Sequence, residues 1–323
     1  MCTAVTYRTK DHYFGRNLDY EHSYQESVTI TPRDFVLHFR RLPPMEHHYA
    51  MIGMATVSNG YPLYYDGVNE HGLSMAGLNF PHSAKYMHEM PGKDNVTPFE
   101  LIPWLLGGCK STCEAMDKLE NVNLVDISFS NEFPLSPLHW ILADPNSTVT
   151  IEQTEDGLQV YDNPVGVLTN EPPFPFHMMN LQNYLHVSNE EAVNRFAPSL
   201  PLKAYSRGMG GIGLPGDLSS ASRFVKAAFT KLNSVSKDAE SASISQAFHI
   251  LGSVAQQQGC VKVDKVYEKT IYTSCCNTTK GIYYYTTYEN SQITGVRLHG
   301  VNLDSNNLFR YPLVKGQQIR MEN

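Results

Sequence analysis

Runs of β-branched and aromatic residues, separated by turn residues, predict strands in the first 80 residues of the chain. The predicted bounds are 3–9, 13–18, 28–31, 36–40, 49–57 and 73–79. Further runs of the same kind lie at 138–144, 149–152, 165–170, 270–276, 282–288 and 293–299. Strands are therefore expected at both ends of the chain and in its middle.

Helical spacing of apolar residues marks two segments between these strand blocks, at 219–235 and 244–254. Two shorter helices are predicted where Thr97–Glu100 and Ser111–Glu114 show the spacing of a capping box. Because strands and helices come in separate blocks, layers are favoured over alternating βαβ units. No repeat, low-complexity tract or linker interrupts the order. We therefore predict one layered α+β domain over residues 1–323.

Composition excludes several classes of protein. Hydrophobic residues make up 41% of the 323 residues, which is enough for a large core and excludes a disordered chain. The net charge of −7 argues against a nucleic-acid partner. No apolar run approaches the ~18 residues of a membrane span. Six cysteines are too few for a disulfide scaffold, and no signal-peptide pattern begins the chain, so a cytoplasmic protein with reduced thiols is expected.

Cofactor and metal motifs are weak. Gly208–Gly213 fits the glycine spacing of a dinucleotide site, but no buried strand precedes it and Pro215 interrupts the helix that should follow. The chain contains neither H-E-x-x-H nor C-x-x-C. No cofactor and no metal are therefore predicted.

Cys2 is the most informative candidate residue. Removal of the initiator methionine would leave a cysteine with a free α-amine, and such an amine can act as base for its own thiol. A hairpin between the first two strands would bring Cys2 towards Arg16 and Asp19, where arginine stabilises a thiolate and aspartate holds the ammonium group. Taken alone, Cys2 is better interpreted as a coincidental buried cysteine, and Arg16 has an ordinary salt bridge as its alternative. An arginine and an aspartate three positions apart opposite the cysteine favour a site.

Five sequence blocks change that balance. They are MCTA at 1–4, FGRNLD at 14–19, GLSMAGLNF at 72–80, NPVGVLTN at 163–170 and GLPGDLSSASRF at 213–224. In this order they closely resemble the choloylglycine hydrolase family, and within it the bile salt hydrolases of the lactobacillus type. The likeness extends beyond residue 290 and so covers the whole chain.

The resemblance implies a four-layer αββα N-terminal-nucleophile fold, a homotetramer and a set of catalytic positions. Cys2 matches the nucleophile, with its own amine as base, and Arg16 and Asp19 match the pair beside it. Asn170 matches the side-chain donor to the oxyanion, Asn79 the backbone donor, and Arg223 the arginine that supports the network. Without the resemblance, Asn79 and Asn170 would be read as strand ends and Arg223 as a solvated residue on its helix.

The family contains bile salt hydrolases and penicillin V acylases, and the resemblance implies that Asn79, where the acylases carry tyrosine, favours conjugated bile salts. A steroid needs a wide apolar cleft. An inactive steroid-binding homologue is the alternative from another class, although the matching residues are all present. Whether glycine or taurine conjugates are preferred stays open. The cleft residues we predict, each with ordinary packing as its alternative, are Leu18, Tyr24, Tyr65, Phe133, Leu135 and Leu138.

Overall fold

Two large antiparallel sheets form the centre of the computed structural model, which describes residues 1–323. The strands are β1 (Cys2–Arg8), β2 (His12–Tyr20), β3 (Ser27–Thr31), β4 (Met51–Ser58), β5 (Tyr61–Asn69), β6 (Ser74–Asn79), β7 (Asp94–Val96), β8 (Val122–Leu124), β9 (Leu138–Ala143), β10 (Thr148–Thr154), β11 (Gly157–Asp162), β12 (Val167–Leu168), β13 (Val261–Val263), β14 (Val266–Asn277), β15 (Ile282–Thr287), β16 (Asn290–Arg297) and β17 (Phe309–Pro312). The first sheet has the order β12-β1-β2-β14-β15-β16, with β13 paired to β14. The second has the order β11-β10-β9-β6-β5-β4-β3-β17, and β7 pairs with β8 separately.

Helices cover the outer faces of both sheets. They are α1 (Leu101–Gly108), α2 (Thr112–Leu119), α3 (Phe174–Asn180), α4 (Ser220–Asn233) and α5 (Glu240–Gly252). α4 and α5 contact strands of the first sheet, whereas α1 contacts β4, β5 and β6 of the second. One core of 37 buried residues joins the facing sheets and α3–α5, and another of 21 lies between the second sheet and α1–α2. The predicted layered α+β architecture is therefore confirmed.

The strand predicted at 36–40 is wrong. Leu37 makes only an isolated bridge to Met45, because the chain turns back at once through Pro43 and Pro44, which have no backbone N–H to donate. β5, which was not predicted, contains Pro62. A proline is tolerated there because β6 pairs only with Asp66–Val68, so that Pro62 has a partner strand on one side alone.

The two predicted capping boxes differ in outcome. Ser111 caps α2 as expected, its hydroxyl accepting from Glu114 N at 3.3 Å. The helix expected from Pro98 begins at Leu101, with Glu100 as its N-cap residue. The Glu100 carboxylate accepts from the backbone N–H groups of Thr97 and, at 2.6 Å, of Arg40. It therefore joins a distant loop to the start of α1.

Candidate active site

The β1–β2 hairpin places Cys2 beside Arg16. In its register, Cys2 lies opposite Leu18 and Ala4 lies opposite Arg16. Side chains alternate along a strand, so these four share one face of the sheet. The Arg16 guanidinium donates from Nη2 to Cys2 Sγ at 2.6 Å. Cys2 is only 4% exposed and Arg16 is fully buried, so the contact is shielded from water.

Arg16 also fills a gap in the second sheet. The pairing of β5 with β6 ends at Asp66 and Ala76, and beyond that point the two strands separate. Arg16 Nη1 donates to Tyr65 O at 2.9 Å and to Gly77 O at 2.7 Å, one carbonyl on each strand. The guanidinium thus replaces ladder hydrogen bonds and is fixed in orientation by the backbone on both sides.

A buried acid that the sequence analysis missed lies near Arg16. Asp66 accepts from the hydroxyl groups of Tyr272 and Tyr283, each at 2.6 Å, and all three side chains are buried. Burial raises the pKa of the Asp66 carboxyl, and the neighbouring Arg16 charge opposes that shift. A lone acid within an apolar strand was the available signal, but the two tyrosines come from the distant β14 and β15.

Asp19 does not join Arg16 at the thiol. Three positions along a strand reverse the side-chain direction, so Asp19 points to the face that α4 covers. Its Oδ1 accepts from Thr270 Oγ1 at 2.6 Å, and its Oδ2 is buried without a hydrogen bond, 3.9 Å from Arg223 Nη1. Burial raises the pKa of the Asp19 carboxyl, against the attraction of Arg223. Arg16 therefore contacts the sulfur, whereas Asp19, which was expected at the ammonium group and not at the thiol, lies on the other face of the strand.

Asn170 follows β12 and reaches the start of β1. Its Oδ1 accepts from Cys2 N at 2.8 Å and from Arg223 Nη2 at 2.7 Å. Its Nδ2 donates to Asn79 O at 2.7 Å, at the end of β6. An amide nitrogen carries two hydrogens, so one remains to donate to a group beside the Cys2 thiol. The Asn170 side chain thus contacts three other candidates that are distant from it in sequence, Cys2, Asn79 and Arg223.

Arg223 fixes the backbone of Cys2 from the helical side. It lies on α4 and is 1% exposed, so the reading of it as a solvated residue is wrong. Its Nη1 donates to Cys2 O at 2.5 Å and to Thr3 Oγ1 at 2.6 Å. Burial lowers the pKa of Arg223, although the Asp19 carboxylate opposes this. Cys2 is therefore held between arginines that act on its side chain and on its main chain.

Met1 precedes this site, and its ammonium group is partly buried. The group donates to Asp19 O at 2.7 Å and pairs with the buried Glu268 carboxylate. Burial raises the pKa of Glu268, and the nearby ammonium charge opposes the shift. While Met1 is attached, the Cys2 nitrogen is a peptide N–H. The sequence analysis missed Glu268, which is close to Met1 only because β14 pairs with β2.

A cavity of about 320 Å³ opens at the Cys2 thiol, within the range of small-molecule sites of about 300–1,000 Å³. Thirteen of its 22 lining residues are hydrophobic. Sequence reasoning missed the contributions of Phe99, Ile102 and Phe129, because the sequence alone does not place the start of α1 against the loop 125–137. The lining includes the six predicted cleft residues Leu18, Tyr24, Tyr65, Phe133, Leu135 and Leu138.

Aromatic contacts hold the loop that forms the outer wall of this cavity. The Phe133 ring lies 6.0 Å from that of Tyr24 and 6.2 Å from that of Phe129. Arg40 places its guanidinium 5.4 Å from the centre of the Phe129 ring and donates to Phe129 O at 2.9 Å. The wall is thus built from rings in tilted and edge-to-face contact, carried on irregular backbone.

Elsewhere the structure offers no group of three His, Cys, Asp or Glu side chains placed to hold a metal ion. None of its helices has both the length and the apolar character needed to span a membrane. The glycine-rich segment predicted to be a loop contains only a short 3₁₀ turn, Met209–Gly211, and is preceded by no strand.

Known proteins resemble the chain over its full length. It is 56% identical over 314 residues to a bile salt hydrolase/transferase of Lactiplantibacillus plantarum, covering 97% of each chain. It is 38% identical to a bile salt hydrolase/transferase of Clostridium perfringens, with complete coverage of both.

Solved structures agree with these relatives. The crystal structure of the C2A mutant of the conjugated bile acid hydrolase from Clostridium perfringens superposes with a TM-score of 0.93, at 38% identity over both complete chains. A penicillin V acylase from Agrobacterium tumefaciens gives 0.76 at 16% identity over 96% of this chain and 90% of its own, a likeness of fold alone. The expected N-terminal-nucleophile fold is confirmed. The family of linear amide C–N hydrolases known as choloylglycine hydrolases matches residues 2–311, and the chain belongs to it.

Proposed function

We propose that the protein hydrolyses the amide bond of glycine- and taurine-conjugated bile acids, with Cys2 as nucleophile. The observation that carries this proposal is an apolar cavity that ends at a buried thiol in contact with Arg16. Relatives at 56% and 38% identity that cover almost the whole chain are named bile salt hydrolases/transferases. The apolar walls suit a steroid, and the polar end suits the amide.

In the proposed acylation step, Cys2 Sγ attacks the carbonyl carbon of the substrate amide. A carbon–sulfur bond forms, and the carbonyl electrons move to oxygen. The free hydrogen on Asn170 Nδ2 and the backbone N–H of Asn79 donate to this oxyanion, a contribution of about 2.7–4 kcal/mol for one such donor in other enzymes. As the carbon–nitrogen bond breaks, the leaving amine takes the proton that the thiol gave up. Glycine or taurine departs and a thioester remains.

In the proposed deacylation step, water attacks the thioester, the carbon–sulfur bond breaks and the free bile acid leaves. The base in both steps is the α-amine of Cys2 after Met1 has been removed. Cys2 N then carries hydrogens besides the one that Asn170 Oδ1 accepts, and the groups that lose the Met1 ammonium as donor are Asp19 O and the Glu268 carboxylate. Arg223 and Asn170 keep the backbone of Cys2 in place during both steps.

Incubation of purified protein with glycocholate or taurocholate, followed by quantification of the released amino acid, tests the activity. We expect release from at least one conjugate at a rate well above that of penicillin V cleavage. Rapid cleavage of penicillin V with no release from either bile salt would assign the cavity to the smaller acyl group. No cleavage of any of the three would favour the inactive steroid-binding alternative.

Intact-mass spectrometry of an active preparation tests the proposed base. We expect the chain to lack Met1, because a peptide nitrogen cannot accept the thiol proton. An active sample that retains Met1 throughout would contradict the α-amine mechanism without affecting the substrate assignment.

A homotetramer is proposed for the assembly, supported by a long irregular segment before α4 that exposes large apolar side chains. Leu185, Phe196 and Tyr205 are each at least 85% exposed there, and burial of such side chains against a second copy would stabilise an assembly. Light scattering after gel filtration should give four times the chain mass of 36.3 kDa. The F196S and L185S variants should dissociate.

A cytoplasmic location is proposed because all six thiols are free, two of them exposed.

A further inference from the structure

The peptide that carries Asn170 is held by two buried histidines that do not touch the cavity. His177 Nε2 lies 3.0 Å from Asn170 O, and His139 Nε2 lies 3.0 Å from Thr169 O. Carbonyl oxygens only accept hydrogen bonds, so both Nε2 atoms must carry a hydrogen. Both histidines are fully buried. Two successive carbonyls at the end of β12 are thus each bonded to an imidazole.

Stacking fixes the plane of each imidazole. The His139 ring lies 4.2 Å from the Phe80 ring at an angle of 6°, and the His177 ring lies 4.7 Å from the Phe224 ring at 19°. Phe80 follows Asn79, and Phe224 follows Arg223. The rings that orient the histidines are therefore sequence neighbours of two other candidate site residues.

The buried Glu152 joins the two histidines. Its Oε1 lies 3.0 Å from His139 Nδ1 and accepts from Phe174 N, also at 3.0 Å. Phe174 is the first residue of α3, the helix that carries His177. Displacement of Glu152 would therefore disturb both supports of the Asn170 peptide.

The surroundings of each imidazole are consistent with a hydrogen on its Nε2 atom. Burial lowers the pKa of His177, and its Nδ1 is buried with no partner, so the neutral ring carries its hydrogen on Nε2. At His139, the Thr169 carbonyl requires a hydrogen on Nε2 and the Glu152 carboxyl group faces Nδ1.

The remaining polar atoms of this turn are bonded to α4. Asn170 N donates to Ser220 Oγ at 2.8 Å, and the Ser220 hydroxyl donates to Thr169 Oγ1 at 2.9 Å. The backbone beside Asn170 is therefore held from β9, α3 and α4. Since the Asn170 side chain contacts Cys2 N, Asn79 O and Arg223, a small shift of this backbone would move its free amide hydrogen away from the reacting carbonyl.

We propose that His177, with His139 and Glu152 behind it, is a positioning residue that orients Asn170 as oxyanion donor. The proposal rests on the function proposed above. It assigns no contact with substrate to either histidine. Their contribution is to hold a donor in place before the substrate binds, which is the condition for effective electrostatic stabilisation.

The test compares H177F with H177Q. Phenylalanine keeps the ring that stacks on Phe224 but removes the donor to Asn170 O, whereas the Gln side-chain amide restores a donor. We expect H177F to lower kcat about 10-fold with KM nearly unchanged, because a displaced donor weakens transition-state binding alone. H177Q should recover most of that loss. A merely structural role would lower the unfolding temperature of both variants without this pattern in kcat.

Two further variants distinguish a failure of the oxyanion role of Asn170 from a failure of its positioning by His177. H12F is the control for loss of a buried histidine. His12 is hydrogen-bonded to Thr278 and has no contact with Asn170, so kcat should stay unchanged. N170A should lose activity about 10²–10³-fold if Asn170 is the oxyanion donor. An active N170A would overturn both that role and the positioning by His177. An inactive N170A together with a fully active, folded H177F would overturn the positioning alone.

Discussion

The two ends of the cavity are built differently. At the closed end, Cys2 and Arg16 lie on adjacent strands, and every Arg16 nitrogen has an acceptor within 3.4 Å. At the open end, Phe133 and Leu135 lie on a loop without regular structure, held by ring contacts and by Arg40. Directional hydrogen bonds therefore fix the side chains at the closed end, whereas non-directional apolar packing forms the open end.

This difference assigns separate tasks to the two ends. Hydrogen bonds fix a group to within a few tenths of an ångström, which the alignment of nucleophile and oxyanion donors requires. Apolar contacts tolerate small displacements and accommodate a rigid hydrophobic ligand. Changes at the closed end should therefore act on kcat, and changes at the open end on KM.

The largest expected effect is that of C2A at the closed end. Loss of the sulfur should lower turnover of glycocholate by roughly 10⁴-fold or more while the fold persists, as for other nucleophile deletions. C275A is the matched control, since Cys275 is equally buried but lies outside the cavity. Circular dichroism and an amino-acid release assay measure the two properties, and surviving activity in C2A would move the nucleophile elsewhere.

R16K should come next. Lysine keeps the charge but cannot span the thiol and the carbonyls of Tyr65 and Gly77 at once, so we expect kcat to fall about 10²-fold. Carbonyls left without donors should also cost about 1–3 kcal/mol of the free energy of unfolding each, as urea titration would show. R33K, on the surface beside Glu70, is the control. Equal kcat values in the two variants would refute the role of the guanidinium.

F133A probes the open end. Removal of the ring should raise KM about 10-fold, a cost of about 1.4 kcal/mol, and leave kcat within about twofold. F39A removes an equally half-buried ring that packs on the core of 21 residues without lining the cavity, and it should leave KM unchanged. Initial rates over a range of glycocholate concentrations separate the two constants. If F133A changed kcat instead, the division between the two ends would fail.

The smallest effect concerns His12, at the end of the β1–β2 hairpin remote from Cys2. Burial lowers the pKa of His12 from its ordinary value of 6.5 to about 4. Between pH 6.5 and 4, His12 is protonated in the unfolded chain but stays neutral in the folded chain. The free energy of unfolding is therefore full above pH 6.5 and decreases as the pH falls towards 4, by at most roughly 3 kcal/mol. H12F should flatten this decline in urea unfolding at pH 7, 5.5 and 4. An unchanged slope would assign the acid sensitivity to other groups.

The sequence allowed most of the fold to be predicted, because alternating and helical apolar patterns report which faces are buried. The errors arose where a partner decides the outcome. Residues 36–40 have strand composition but no neighbouring strand to pair with, whereas Pro62 is compatible with β5 because one of its sides is unpaired. The local sequence does not show whether another strand will lie beside a given segment.

For the site, the sequence by itself determined which residue types were available: a cysteine at position two and an arginine and an aspartate on the next strand, together with blocks that match one family. The tertiary structure decided what each residue touches. The strand period of two separated Asp19 from Arg16. The end of the β5–β6 pairing gave Arg16 its two carbonyl partners, and buried histidines from β9 and α3 support the Asn170 peptide. These contacts join residues that lie from 7 to 61 positions apart in the sequence, and only the packed sheets and helices bring them within hydrogen-bonding distance.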